Sequence, residues 1–155
     1  MRIALASDEL TGIAVILPAE LGERGHELRL HGALADSEQP DWALSSAAAA
    51  REVAAGAADQ AIVCCWTGTG AAIAANKIPG VRAALCRDAV TAAGARRWND
   101  ANVLALSLRS TADAELAEIL DAWFSTPPSE KAADLASIAR VGDLERRQGR
   151  GLSPL

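Results

Sequence analysis

Cys65 ends an apolar, β-branched run, Ala61-Ile62-Val63-Cys64-Cys65, and the turn Trp66-Thr67-Gly68-Thr69-Gly70 follows without a break. A thiol at the carboxyl end of a strand can move a proton, and the start of a helix lowers the pKa of a thiol placed there. The glycine turn runs into the alanine-rich Ala71–Ala75, so backbone N–H groups at a helix start are available to hold an oxyanion or phosphate. Proton transfer beside a stabilised anion is the chemistry this arrangement offers. The plain alternative is that Cys65 is a small buried hydrophobe, and position alone leaves the two readings equal. Cys64 and Cys86 read as core residues.

The other candidates are weaker alone. The turn is neither a dinucleotide G-x-G-x-x-G after the first strand nor a P-loop, since no Gly-Lys-Ser/Thr follows, and this disfavours NAD and ATP. Asp8 and Glu9 close the first apolar run; Asp8 reads as a helix cap, and as chemistry the pair could orient hydroxyls or shuttle protons. Asn99 ends a helical stretch, where a left-handed C-cap is the default. Arg82, Arg87, Arg96, Arg97, Arg109 and Arg140 could each meet a phosphate, and position does not choose among them. His26 and His31 have no partner at a recognisable spacing and read as structural or surface residues.

The elements that must position these residues alternate along the chain. Strands are expected at Arg2–Ser7, Glu27–Leu30, Gln60–Cys65, Arg82–Cys86 and Asn102–Ser107. Helices are expected at Gly12–Arg24, Asp41–Gly56, Gly70–Lys77, Asp88–Trp98 and Thr111–Phe124, with Asp41 and Asp88 as N-caps and Thr111 with Glu115 near a capping box. This alternation predicts an α/β fold, a five-stranded parallel sheet with helices on both faces. Ligands bind at the carboxyl ends of such strands, where Asp8, Cys65 and Asn99–Asp100 are expected to fall or lie close by. Alanine dominates and only five of 155 residues are aromatic, which predicts a core of closely packed helices.

The chain reads as one domain over residues 1–147 with a disordered tail over 148–155. Thr126-Pro127-Pro128 is a hinge, and the helix expected over Ser129–Arg147 is placed against a neighbouring subunit. A net charge of −5 argues against nucleic-acid binding. Three cysteines without metal-ligand spacing imply reduced thiols and a cytoplasmic location, with no signal peptide or membrane span.

Five motifs carry a resemblance: Pro40-Asp41-Trp42-Ala43, Cys65 through Gly70, Ile73-Ala74-Ala75-Asn76-Lys77, Gly80 through Cys86, and Asn99 through Leu106. In this order they resemble the ribose-5-phosphate isomerase B family, which includes the subunits of galactose-6-phosphate isomerase. The resemblance implies a Rossmann-like αβα sandwich and a homodimer that can pair into a tetramer, with sites at the subunit interface. It implies no cofactor and no metal. The implied reaction interconverts an aldose phosphate and a ketose phosphate through a cis-enediolate. Cys65 would be the base, with Thr67 assisting proton transfer at the neighbouring oxygen. Backbone amides of Trp66, Thr67, Gly68, Thr69 and Gly70 would stabilise the enediolate oxygen. Asp8 and Asn99 would hold substrate hydroxyls, Asn99 from the other subunit, and Arg109 and Arg140 would hold the phosphate.

The chain also departs from the family. Glu9 stands where members carry histidine, Trp98 replaces the histidine assigned to ring opening, and Trp66 replaces a glycine. Arg140 alone remains of a phosphate cluster rich in arginine and histidine. A tetrose 4-phosphate cannot close a furanose ring, because its terminal oxygen is esterified, so it needs no ring-opening histidine. Two tryptophans also suit a smaller pocket. The expected substrate is therefore a tetrose phosphate. The alternatives are a non-catalytic sugar-phosphate-binding or partner subunit, and a ribose 5-phosphate isomerase in which water or Glu9 opens the ring.

Overall fold

The computed structural model describes residues 1–36 and 40–149. Strand β1 (Arg2–Ser7) leads through a short 3-10 turn (Gly12–Ala14) into α1 (Leu17–Glu23), then β2 (Glu27–Gly32) and α2 (Trp42–Ala54). Next come β3 (Gln60–Cys65), α3 (Thr69–Ala75), β4 (Ala83–Leu85), α4 (Ala89–Asn99), β5 (Val103–Ser107), α5 (Asp113–Ser125) and α6 (Ala132–Gly149). The strands form one parallel sheet in the order β2-β1-β3-β5-β4. Among the described residues no helix is long and apolar enough to cross a membrane.

Local chemistry explains most boundaries. Asp41 caps α2 by accepting from the N–H groups of Ala43 and Leu44, and Asp88 caps α4 by accepting from Thr91. The expected helix over Gly12–Arg24 is instead broken in two, since Pro18 lacks an N–H and sits in the first turn of α1. At α5 the N-cap is Ala112 and not Thr111: the Glu115 carboxylate accepts from Ala112 N–H at 3.0 Å, which is half a capping box.

The sheet has two unequal faces. Period-2 alternation sends Ile3, Leu5, Ile62, Leu104 and Leu106 to one side, where Trp123, Ile119 and Leu17 cover them. Ala4, Ala6, Ala61, Val63, Cys65 and Ala105 face the other side, against Ala49 and Ala50 of α2 and Ala71 and Ala75 of α3. The alanine abundance is thus concentrated on one face, where small side chains let α2 and α3 lie close to the sheet. Large aliphatic residues and Trp123 build the opposite face, which the expectation of a helix-dominated core did not include. Trp123 is fully buried and its indole N–H donates to Gln60 Oε1 at 2.7 Å, satisfying the ring's polar atom inside the core.

Helix α6 touches its own protomer: Ser129 N, in the segment leading into it, donates to Arg97 O, and Gly80 N donates to the carboxylate of Glu145 on the helix. Leu135, Val141 and Leu144 remain 42–58% exposed on it. The helix runs through Gly149, two residues past its expected end, and residues 150–155 of the expected disordered tail lie outside the described residues.

Candidate active site

The strand order reverses direction of growth between β1 and β3, and a crevice opens at the carboxyl ends of two strands that diverge this way. Asp8 follows β1 and Cys65 ends β3. The register pairs Ser7 with Cys64, so Asp8 is carried alongside Cys65. Both stand at the switch point, the position a ligand takes in sheets of this kind.

Cys65 belongs to the alanine face and is 5% exposed. The other two cysteines behave as buried hydrophobes: burial pushes the Cys86 thiol up to about 12 and raises that of fully buried Cys64 as well. Asp8 is different. Its Oδ1 is buried and has no hydrogen-bond partner among the described residues. Burial, with the nearby charges of Glu9 and Asp41, pushes its carboxyl above the ordinary aspartate value, against the pull of its own amide. A buried polar atom without a partner is costly, and a ligand hydroxyl is what would satisfy it. The sequence reading of Asp8 as a helix cap fails, because no side chain caps the 3-10 turn that follows.

The turn after β3 is held by its carbonyls. Cys65 O accepts from Gly68 N at 3.1 Å and from Leu108 N at 3.0 Å. Trp66 O accepts from Arg109 N at 3.1 Å and from Ser107 Oγ at 2.9 Å. Gly68 has φ +74, and a Cβ there would stand 2.8 Å from Leu106 O, so only glycine fits. The first amide of α3 with a helical partner is Ala72 N, on Gly68 O. The N–H groups of Thr69, Gly70 and Ala71 precede it and have no acceptor within the helix. Thr67 and Thr69 are exposed and their hydroxyls lie 2.7 Å apart. Trp66 is 52% exposed. Arg109 is exposed beside this turn, and no ion pair engages its guanidinium among the described residues.

The remaining predicted residues lie elsewhere in the protomer. Trp98 and Asn99 end α4, just ahead of β5, and so stand at the amino ends of the strands and not near their carboxyl ends as expected. Asn102 O, three residues on, accepts from Ala61 N at the start of β3. The left-handed cap is Asp100 with φ 43, not Asn99. Asp100 also binds Arg82 Nη2 at 2.9 Å and Arg96 Nη1 at 3.2 Å, which commits both arginines to holding this corner. A cavity of about 330 Å³ lies here between β4, the end of α4 and α6, lined in part by Ala84, Trp98, Asn99 and Ile138. Arg140 is exposed on α6, beside Asp143, Leu144 and Arg147. Thus Asp8, Glu9, Cys65, the turn 66–70 and Arg109 come together, while Trp98, Asn99 and Arg140 do not join them within one chain.

Sequence reasoning passed over Trp42. Its indole lies over Gly70, and α2 thereby packs on the site turn. The signal was present in Pro40-Asp41-Trp42-Ala43, where an aromatic follows an N-cap directly. His26 packs its ring on Phe124 at 4.3 Å, and His31 lies 3.3 Å from Glu52, both in structural settings. Among the described residues no three His, Cys, Asp or Glu side chains gather in a way that could hold a metal ion.

The sequence model of the family described as Ribose/Galactose Isomerase matches residues 3–141. The chain is 42% identical over 106 residues to ribose-5-phosphate isomerase B of Escherichia coli, covering 68% of this chain and 70% of that protein. It is 38% identical over 108 residues to 4-deoxy-4-sulfo-D-erythrose isomerase of a Clostridium species, covering 68% and 67%. Among solved structures, ribose-5-phosphate isomerase B of Clostridium thermocellum superposes with a TM-score of 0.87 at 30% identity, over 96% of this chain and 99% of that one.

Proposed function

The chain belongs to the ribose/galactose isomerase family and is an aldose-ketose sugar-phosphate isomerase; from that premise we propose its substrate and the roles of its residues. The substrate is a four-carbon sugar with an acidic group at carbon 4, a tetrose 4-phosphate or its close analogue. Cys65, as thiolate, takes the proton from carbon 2 of the aldose and returns it to carbon 1. The cis-enediolate between these steps is held by N–H groups of the turn 66–70 other than that of Gly68, which donates to Cys65 O; these donors are fixed in place before the charge develops. Thr67 serves the adjoining oxygen, Asp8 a substrate hydroxyl, and Arg109 the acidic group.

The observation that carries this reading is the place of Asp8 alongside Cys65 at the switch point, one residue past the Ser7–Cys64 pair, with a buried Asp8 oxygen that has no partner among the described residues. The choice of a tetrose rests on Trp66 and Trp98. Trp98 cannot transfer the proton that opens a furanose, and a sugar whose fourth carbon carries no free hydroxyl forms none. A relative named for a sulfonated erythrose supports the same choice.

A second copy of the chain completes the site in this account. Trp98, Asn99 and Arg140 lie away from Cys65, and Val90 and Trp98 leave an apolar stripe on α4, 81% and 55% exposed. Docking that stripe on a partner would bring Asn99 and Trp98 to the partner's Cys65 turn in a homodimer.

The test is to supply erythrose 4-phosphate in D2O to the wild type and to Cys65→Ala, following the ketose and deuterium at the exchanged carbon by NMR. Turnover by the wild type with loss of at least about a hundredfold in the variant is expected, the range general-base removal commands. Equal rates would remove Cys65 from the mechanism.

A further inference from the structure

Thr67 Oγ1 and Thr69 Oγ1 are hydrogen-bonded at 2.7 Å, and each hydroxyl has a single proton to give. Two carbonyl acceptors of the same turn are already filled. Cys65 O takes two N–H donors, and Trp66 O takes Arg109 N–H and Ser107 O–H. A carbonyl oxygen has two lone pairs, so neither has room for a threonine proton. One hydroxyl must therefore donate to the other, and the one that accepts keeps its own proton free to point elsewhere.

We propose that Thr69 is a positioning residue for the isomerisation: its hydroxyl donates to Thr67 and so fixes Thr67 as a donor to the substrate oxygen. The proposal rests on the reading of Cys65 and Thr67 given above, and it adds Thr69, which need not touch substrate. Without this bond the Thr67 hydroxyl is free to rotate and to spend its proton on Thr69 or on water. An orientation held before substrate arrives does not have to be found during the reaction. The turn is well suited to hold it, because Gly68 between the two threonines is locked against Leu106 O and Leu85.

The test compares Thr69→Val, Thr69→Ser, Thr67→Val and the double valine variant. Thr69→Val is expected to lower kcat roughly five- to tenfold, the worth of one hydrogen bond, with KM within about twofold. Thr69→Ser is expected to restore the rate. The double variant is expected to be no slower than Thr67→Val, since Thr69 acts only through Thr67. Full kcat in Thr69→Val, no rescue by serine, or multiplied effects in the double variant would each overturn the proposal. A neutron structure of the perdeuterated protein judges it without any turnover: the deuteron between the two oxygens belongs to Thr69, and finding it on Thr67 contradicts the assignment. A wild type that isomerises no sugar phosphate, with the deuteron still on Thr69, would instead count against the proposed substrate.

Discussion

Trp42 lies over Gly70 so closely that a Cβ on the glycine would stand 2.8 Å from Trp42 Cε3. The contact joins the start of α2, anchored by the two N–H groups that Asp41 accepts at 2.9 and 2.8 Å, to the turn that carries the amides beside Cys65. The position of those amides therefore depends on a helix from a different part of the chain.

Gly70→Ala is expected to destabilise the fold by about 1–3 kcal/mol, the usual cost of overpacking, and to lower kcat as the turn shifts. Trp42→Leu in the same background should recover part of both. Denaturant unfolding and steady-state kinetics on the three variants check this, and an unchanged Gly70→Ala would show that the indole yields freely.

Asp8 gives a pH signature. Its carboxyl is raised in the folded state above the ordinary 3.8, so the folded chain holds that proton more tightly than the unfolded chain does. Stability is therefore lost as pH climbs through the window between 3.8 and the raised value, and the loss persists above it. Asp8→Asn removes the effect. The variant is expected to gain Tm over the wild type at pH 7, with the gain disappearing near about pH 3.5, while substrate binding weakens. A Tm difference independent of pH would contradict the role of burial at this carboxyl.

Arg109 is the one predicted phosphate ligand that stands beside the Cys65 turn in the same chain. Arg109→Ala is expected to raise KM for an anionic substrate roughly ten- to hundredfold with a smaller change in kcat, the worth of a charge-assisted hydrogen bond. Arg109→Lys should recover part of the loss, having the charge without the planar fork. A neutral tetrose should show no such dependence.

The proposed division of the site between two chains is open to subunit mixing. Cys65→Ala and Asn99→Ala homodimers are each expected to be impaired. Unfolded together and refolded, they should regain about a quarter of wild-type activity, since half the dimers are mixed and each has one intact site. No recovery on mixing would place Asn99 outside the partner's site.

Much of this was legible in the sequence because the signals were local. β1 and β3 fall where apolar runs predict them, and Asp41 and Asp88 cap the helices they precede. Cys65 was legible as a candidate because strand end, thiol and glycine turn are contiguous. What was not legible depended on pairing between distant segments. The β1–β3 adjacency that brings Asp8 to Cys65 is fixed by strand order, and the two unequal faces of the core by which helix covers which side. Asn99 was placed at the wrong end of the sheet because a residue between a helix and a strand can lie at either end until the chain direction is known. Trp42 was passed over for a related reason: its role is a contact across 28 positions, invisible to spacing.

A Cys65 site that isomerises a sugar too short to need ring opening must prefer the tetrose. The ratio of kcat/KM for erythrose 4-phosphate to that for ribose 5-phosphate, measured on the wild-type protein by ketose formation, reads that preference. The expected ratio is well above one, by about tenfold or more, with a pentose rate limited by the supply of open-chain aldehyde. A ratio below one would contradict it and return the chain to the family's pentose reaction.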